Sequence, residues 1–263
     1  MKKTIATVVL ILALAAVLVA CNSSEPPTPA WADNEVLVYS VTSASGETLG
    51  EMTMTTVRRP DDKTLNGADY SSADGKVIFE LKLTDKEIRT EMLTKKYTVI
   101  AGRQTYVDLN NSDNSYVLTT RHDGKNYYYS YDGAGEKRIR VGNSGYTDSM
   151  YIYHYIRSYP LSSPPSSLKI ADPTTGSAIT VGCTVTDLDS LDIPFPSGVK
   201  SVLCQKIYIS LSDAPRGSGI EVWYTPDSTD YQVAGLSQSP SKKFPVKIIE
   251  NDVTYTLKSI SVA

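Results

Sequence analysis

Residues 77–84 read Val-Ile-Phe-Glu-Leu-Lys-Leu-Thr, and this stretch decides the fold class. The apolar residues at 77, 79, 81 and 83 alternate with Ile78, Glu80, Lys82 and Thr84. A period of two is typical of a half-buried β-strand, because successive side chains point to opposite faces of a sheet. The stretch therefore predicts a strand with one face packed on a core.

Similar short stretches recur along the chain. They predict strands at 35–42, 48–57, 87–93, 96–100, 104–109, 115–121, 126–131, 137–141, 179–187, 200–211, 220–224, 244–250 and 253–260. Asp-Gly pairs at 74–75, 123–124 and 132–133 indicate hairpin turns, since glycine accepts the positive φ that such turns need, and Asn251-Asp252 indicates the last turn. Tyr occurs 18 times and Phe 3 times, which suits strands with one wet side. We predict an all-β fold, mainly antiparallel.

One segment, at about 148–159, has a helical period instead. Its apolar residues Ile152, Tyr155, Ile156 and Tyr159 fall at the i, i+3, i+4, i+7 positions of one helical face. We expect Thr147 or Asp148 to cap the start and Pro160 to end the helix. This predicts one short α-helix on the sheet, with Arg157 on the side away from the packed face.

The amino terminus indicates export. Met-Lys-Lys precedes an uncharged apolar segment at 4–20, and Leu18-Val19-Ala20-Cys21 resembles the lipobox of bacterial lipoproteins. The alternative is an uncleaved transmembrane anchor, although the switch to Ser, Pro and Glu directly after Cys21 favours cleavage. We therefore divide the chain into a signal peptide (1–20), a lipidated Cys21 with a flexible tether (21–34) and a single β-rich domain (35–263).

The net charge excludes some partners. Removal of Lys2 and Lys3 with the signal peptide leaves 24 Lys and Arg against 29 Asp and Glu. An acidic mature chain gives no sign of binding nucleic acid, or of a basic patch for a membrane surface. The membrane is expected as a partner only through the lipid on Cys21.

Two cysteines remain once Cys21 is acylated. Cys183 and Cys204 lie at equal distances from a turn centred in 192–196, so a hairpin there would place them opposite each other. An oxidising compartment favours a disulfide between them. Two buried free thiols are the alternative.

No catalytic or metal-binding constellation stands out, and we expect no enzyme activity and no cofactor. The segments considered were Gly142-Asn143-Ser144-Gly145, Gly133-Ala134-Gly135, the calcium-like Asp108–Asp113, the acidic loop Asp187, Asp189 and Asp192, and the two histidines His122 and His154. Each lacks a residue or neighbour that the corresponding chemistry requires. A hairpin turn explains Gly133-Ala134-Gly135 better, and a solvated turn or loop explains the two acidic segments better. A zinc site at the histidines is not supported.

The run Tyr127–Tyr131 must send aromatic rings to both faces of a strand. One interpretation is a core on one face and a wettable outer face on the other. The second is an aromatic groove for a lipid, peptide or sugar. The first is the better supported, because exposed aromatics are common on sheets.

Three segments of the second half resemble the bacterial domain-of-unknown-function family 3108, an exported β-rich family. They are Asp148-Ser149 with 155–161 (YIRSYPL), 195–199 (FPSGV) with 204–207 (CQKI), and 221–227 (EVWYTPD) with 244–248 (FPVKI). Glu35–Val41 with Gly50 fits the opening strands more loosely, and the loop 230–243 is longer than expected. Such domains resemble the LolA and LolB carriers, which implies a curved sheet or half-barrel with an apolar concave side. The resemblance supplies no catalytic residue.

Three functions remain open. The first is a lipid-anchored, extracytoplasmic binding or carrier module for an apolar or amphipathic ligand. The second is a structural envelope protein that acts through protein–protein contacts, and the third is an unrecognised hydrolase. An open cavity lined by residues such as Leu81, Leu83 and Ile139 would favour the first, whereas a solidly packed interior would favour the second.

Overall fold

The computed structural model describes residues 31–96, 98–142, 146–148, 151–195, 198–211, 219–226 and 242–262. Its strands are β1 (Glu35–Ser43), β2 (Thr48–Arg58), β3 (Thr64–Leu65), β4 (Ala68–Asp69), β5 (Gly75–Leu83), β6 (Lys86–Lys95), β7 (Thr98–Asp108), β8 (Tyr116–His122), β9 (Asn126–Tyr131), β10 (Lys137–Arg140), β11 (Tyr146–Asp148), β12 (Leu168–Asp172), β13 (Ser177–Phe195), β14 (Gly198–Leu211), β15 (Gly219–Tyr224), β16 (Pro245–Glu250) and β17 (Val253–Val262). The α-helix α1 (Ile152–Arg157) and a 3₁₀ turn (Ser112–Asn114) complete the described elements.

Fifteen of the described strands form one sheet in the order β10-β9-β8-β7-β6-β5-β2-β1-β17-β16-β15-β14-β13-β12-β11. Described neighbours pair antiparallel except β11 and β12, which are parallel. The two edge strands follow each other in the chain, and the sheet curves until β10 approaches β13 and β11 approaches β7. The fold is a nearly closed, barrel-like sheet, which confirms the predicted all-β class with a curved sheet.

The core lies inside this curved sheet. Leu37, Tyr39 and Val41 of β1 are completely buried, while the residues between them are half-buried. Val77 and Phe79 of β5 face the same interior, as the alternation in 77–84 predicts. Burying one face of each strand supplies the main driving force for folding, at roughly 25 cal/mol per Å² of apolar surface.

The helix is shorter than predicted. It begins at Ile152 rather than near 148, because Thr147 and Asp148 pair with β12 as part of β11. The side chain of its N-cap residue, Tyr151, makes no capping hydrogen bond, and the helix ends before Ser158. It is also buried on nearly every side, so the prediction that Arg157 faces away from the packed interior was wrong: this side chain is fully buried.

The last residues of the predicted tether belong to the folded part. Trp31 and Ala32 are buried, and the carboxylate of Asp33 accepts a 2.7 Å hydrogen bond from the backbone N–H of Arg58 in β2. The chain is therefore packed onto the barrel from Trp31 onward. Cys21 and the predicted signal peptide lie outside the described residues.

Several strand boundaries differ from the prediction. β7 runs without interruption where two strands were expected, and β11 and β12 were not predicted. Gly75 begins β5 instead of forming a hairpin turn.

The expected acidic loop is part of the long strand β13, where Asp189 accepts a 2.6 Å hydrogen bond from the indole N–H of Trp223. Asp187 and Asp192 are exposed on the same strand. The turn at Asn251-Asp252 is confirmed, with φ values of 50° and 63°.

The predicted disulfide is not formed: Cys183 and Cys204 are both free and buried. Pairing in the β13–β14 hairpin continues to Phe195 and Gly198, so the turn lies further along the chain than expected. Together with a register shift between Val185 and Leu188, this places Cys183 opposite Ile209 and Cys204 opposite Asp189. Ile209 and Cys204 are five positions apart on one strand, or about 16 Å. A disulfide tolerates a Cα separation of at most about 7 Å.

Gly50 shows why one position in β2 requires glycine. It sits in a row with Val41 and Leu83 on the neighbouring strands. A Cβ at Gly50 would overlap the carbonyl oxygen of Lys82. A side chain is therefore excluded where β2 and β5 approach each other.

Candidate ligand-binding cavity

A cavity of about 430 Å³ opens inside the barrel. This volume lies within the roughly 300–1,000 Å³ of small-molecule sites. The lining residues come from β2, β5, β6, α1 and the β16–β17 hairpin. They are Met52, Phe79, Leu81, Leu83, Lys86, Ile88, Tyr153, Ile248, Glu250, Asn251, Val253 and Tyr255.

The apolar wall follows from strand alternation. The inward face of β5 places Phe79, Leu81 and Leu83 side by side along the cavity. Leu81 and Leu83 are thus confirmed as lining residues. Ile139 is not one of them, because it is buried in a separate packed cluster with Leu118, Tyr127, Tyr129, Val141 and Ala171.

The cavity lies toward one end of the barrel. Tyr255, Val41, Gly50 and Leu83 form a row across four neighbouring strands, close to the β1–β2, β5–β6 and β16–β17 turns. Lys86 lies beside the β5–β6 turn, with a side chain that is 34% exposed and an Nζ 3.8 Å from an oxygen of Asp85. The first residue of β1, Glu35, is at the other end of that strand.

Glu250 is the carboxyl group of the cavity. It shares the inward face of β16 with Val246 and Ile248, both of which are buried. The hydroxyl of Tyr153 donates a 2.9 Å hydrogen bond to Oε2 of Glu250. Burial raises the pKa of Glu250, and the hydrogen bond from Tyr153 partly opposes that rise.

Two tyrosines border this carboxyl group. Burial, with the charge and hydrogen bonding of Glu250, raises the pKa of Tyr153 well above its usual value. Burial and the charge of Glu250 raise the pKa of Tyr255 to about 12. Both phenols therefore stay neutral near pH 7 and present aromatic surfaces to the cavity, and Tyr153 donates its hydrogen bond to Glu250.

The residues considered for chemistry from the sequence do not converge. His154 is completely buried, with its Nε2 2.6 Å from the hydroxyl of Thr56, whereas His122 accepts a hydrogen bond from the N–H of Gly124 in a turn. No group of three or more His, Cys, Asp or Glu suited to a metal occurs within the described ranges. No helix in the described part of the chain is long and apolar enough to span a membrane.

The sequence motifs are turns where the structure describes them. Asp108 accepts hydrogen bonds from the backbone N–H groups of Asn110 and Asn111 and from the side chain of Asn114, as in a solvated turn. Gly133-Ala134-Gly135 follows β9, with the N–H of Ala134 bonded to the carbonyl of Tyr131. Most of Gly142-Asn143-Ser144-Gly145 lies outside the described residues.

The tyrosine run divides between two faces. Tyr127 and Tyr129 are buried in the second apolar cluster. Tyr128 points the other way, with the guanidinium of Arg121 3.7 Å from its ring centroid and its hydroxyl bonded to Asp123. This matches a core on one face and a wettable outer face. Tyr131 packs against the second apolar cluster and lines a small polar cleft of about 90 Å³.

Sequence reasoning missed Glu250, Tyr153 and Tyr255. A signal for the first was present, because Glu250 follows Val246 and Ile248 at a period of two and so belongs to their inward face. Tyr153 lay outside the expected helical face, and its burial depends on the barrel closing around the helix.

No model of a known protein family matches the chain, and no curated protein matches it significantly. The resemblance to family 3108 is therefore not confirmed. The structure is similar to a β-barrel-like protein of domain of unknown function DUF1849 from Brucella abortus, with a TM-score of 0.53 and 7% identity, covering 91% of this chain and 100% of that chain. A protein of YmcC-like fold from Bacteroides fragilis aligns over 89% of this chain and 100% of its own, with a TM-score of 0.30 and 9% identity. The first similarity supports the barrel-like fold, and the second is too low to bear on it.

Proposed function

We propose that the mature chain is a lipid-anchored, extracytoplasmic module that binds or carries an apolar or amphipathic ligand without transforming it. The cavity is the observation that carries this proposal. Seven apolar side chains line it together with one carboxyl, one ammonium, one amide and two phenol groups. Small-molecule sites have this composition, with few polar groups that orient an otherwise apolar ligand.

The anchor and location rest on the amino-terminal sequence. A basic start, an apolar core and Leu18-Val19-Ala20-Cys21 support lipidation of Cys21 outside the cytoplasm. Ten residues later, Trp31 is packed on the barrel. A lipid on Cys21 would therefore hold the domain within about 35 Å of the bilayer surface, given the reach of an extended chain.

A role in protein–protein contacts is the second candidate, and the β13–β14 hairpin favours it. Leu188, Val199 and Leu203 of this hairpin are 58%, 68% and 53% exposed. Exposed apolar side chains grouped on one element are typical of interaction surfaces. The cavity remains the stronger observation, since it is concave and already formed.

Binding of an environment-sensitive apolar dye tests the ligand proposal. The mature chain (21–263) with Cys21→Ser carries no lipid and needs no detergent. We expect saturable binding, and Ile88→Asn should weaken it about tenfold, because an amide in the apolar wall costs roughly 1–3 kcal/mol. Leu203→Asn, on the exposed side of β14, is the matched control and should leave binding unchanged. A dye that does not bind, or equal effects of the two variants, would contradict the proposal.

A further inference from the structure

The polar groups of the cavity are arranged asymmetrically. On the β16–β17 side, the carboxyl of Glu250 lies with Tyr153 and Tyr255 in the same lining. On the β5–β6 side, Lys86 lies at the barrel end, partly exposed and 3.8 Å from Asp85. The inner carboxyl is thus half-buried, whereas the ammonium of Lys86 is partly exposed and already has an acidic neighbour.

Glu250 is only partly satisfied by the protein. Tyr153 bonds to Oε2, and no hydrogen bond to Oε1 is found among the residues that the structure describes. A half-buried carboxylate that has no cation beside it loses part of its hydration, and that loss is costly. A ligand that brings its own cation to Oε1 would restore the missing interaction through a charge-assisted hydrogen bond.

The two tyrosines add to the preference for a cation. Their rings line the cavity beside the carboxyl group, and aromatic rings attract ammonium groups by roughly 0.5–2 kcal/mol when the ring face is within about 6 Å. The pKa values of both phenols are raised, so neither is an anion near pH 7 that would compete with the carboxylate of Glu250 for the cation. An anionic head group at this place would instead meet the carboxyl group of Glu250.

We propose that the cavity binds a single-chain amphiphile with an ammonium head group, held by the carboxylate of Glu250 between Tyr153 and Tyr255. The hydrocarbon chain lies along Met52, Phe79, Leu81 and Ile88. This inference rests on the proposed ligand-binding function and specifies the head group that the site selects. No bond is made or broken.

Three ligands with the same ten-carbon chain test the head group: decylammonium, decanol and decanoate. Each is titrated at pH 7.5 against the mature chain with Cys21→Ser, and displacement of the apolar dye is measured. We expect decylammonium to bind at least tenfold more tightly than decanoate. Glu250→Gln should weaken decylammonium binding at least tenfold and change decanol binding less than twofold. Glu221→Gln, which removes a carboxylate paired with Lys206 on the outer face of the sheet, should change neither.

The outcomes separate the two proposals. Equal affinities of the three ligands, or tightest binding of decanoate, would overturn the ammonium preference and leave the apolar cavity as the binding site. Failure of all three ligands and of the dye to bind would overturn both proposals. The comparison of ligands uses the unsubstituted cavity, so it decides the question even if Glu250→Gln does not fold.

Discussion

Glu35 and Arg157 form a bidentate ion pair that is almost completely shielded from water. Nη1 and Nη2 of Arg157 donate hydrogen bonds of 2.7 and 2.9 Å to the two carboxylate oxygens of Glu35. The side chains are 0% and 1% exposed. Nη2 also bonds to the carbonyl of Lys242, 3.0 Å away. The pair therefore joins the start of β1, the end of α1 and the segment before β16.

Arg157→Met should destabilise the protein by about 3–5 kcal/mol, because it leaves the carboxylate of Glu35 buried without its cation. Urea unfolding of the mature chain measures the change. Arg121→Met is the matched control: Arg121 makes a similar bidentate contact to Glu136, but both side chains are 44% exposed. An exposed pair contributes about 0–1 kcal/mol.

The double variant Glu35→Leu with Arg157→Met should recover part of the loss, since two apolar side chains need no partner. A double variant less stable than Arg157→Met alone would mean that the ion pair is not the main role of Arg157. A large effect follows from the burial of Arg157, which the sequence had placed on the side away from the packed face.

The fold class was predictable because it depends on local alternation. The period of two in 77–84 and the turn at Asn251-Asp252 are properties of neighbouring residues, and both are confirmed. The bond between Glu35 and Arg157 joins residues 122 positions apart. It depends on which strands close the barrel, and alternation does not specify this.

The cavity was partly predictable for the same reason. Leu81 and Leu83 face inward by alternation alone, whereas whether that face is packed or open depends on how far the sheet curves. The prediction of the cysteine pairing was wrong because it assumed a hairpin without a register shift that turns midway between the two cysteines. A register shift at Val185/Leu188 and a later turn displaced Cys204 from Cys183.

Both cysteines should be free thiols in protein taken from the cell envelope. Burial raises the pKa of Cys183 and of Cys204 to about 12, so little thiolate is available in the folded state. We expect iodoacetamide to modify neither in the native protein and both after denaturation without reductant, as measured by intact mass. A peptide linking Cys183 to Cys204 in a non-reducing digest would contradict the structure.

Stability should fall in mild acid because of His154. Burial, and then the charge of Arg157, lower the pKa of this imidazole well below its usual value. Between the folded pKa and the unfolded pKa of about 6.5, the unfolded chain binds the proton and the folded chain does not. The contribution of His154 to the free energy of unfolding is therefore fully present above pH 6.5 and is lost as the pH falls below 6.5.

The measurement compares urea unfolding at pH 7.5 and 5.5. His154→Gln cannot titrate, and its amide can still reach Thr56, so it should lose about 1 kcal/mol less than the wild type over this interval. His122, whose pKa burial lowers to about 4, is present in both proteins and cancels in the difference. Identical pH dependence of the two proteins would show that His154 takes up its proton as readily in the folded chain as in the unfolded chain, against the lowered pKa.

Cys21 should carry the lipid anchor. The intact mass of protein extracted from membranes should correspond to a chain that starts at Cys21 with attached acyl groups. Cys21→Ser should abolish both the acyl groups and processing at this position, because the thiol is the acceptor. A mature chain that begins elsewhere and is unmodified would contradict lipidation.

Binding of an ammonium ligand should depend on the ionisation of Glu250. Burial raises the pKa of Glu250 above the ordinary value of a glutamate, which is about 4.3. The affinity for decylammonium should be constant well above this raised pKa and should fall by up to about tenfold per pH unit below it, because the protonated carboxyl no longer attracts the cation. Decanol carries no charge, so its affinity should stay constant over the same range. Decanol is therefore the control that the cavity remains folded at the acidic pH values where His154 lowers the stability of the protein. The affinity of Glu250→Gln for decylammonium should not vary with pH. A decylammonium affinity that is flat from pH 8 to pH 4, while decanol still binds, would mean that the cation does not contact Glu250.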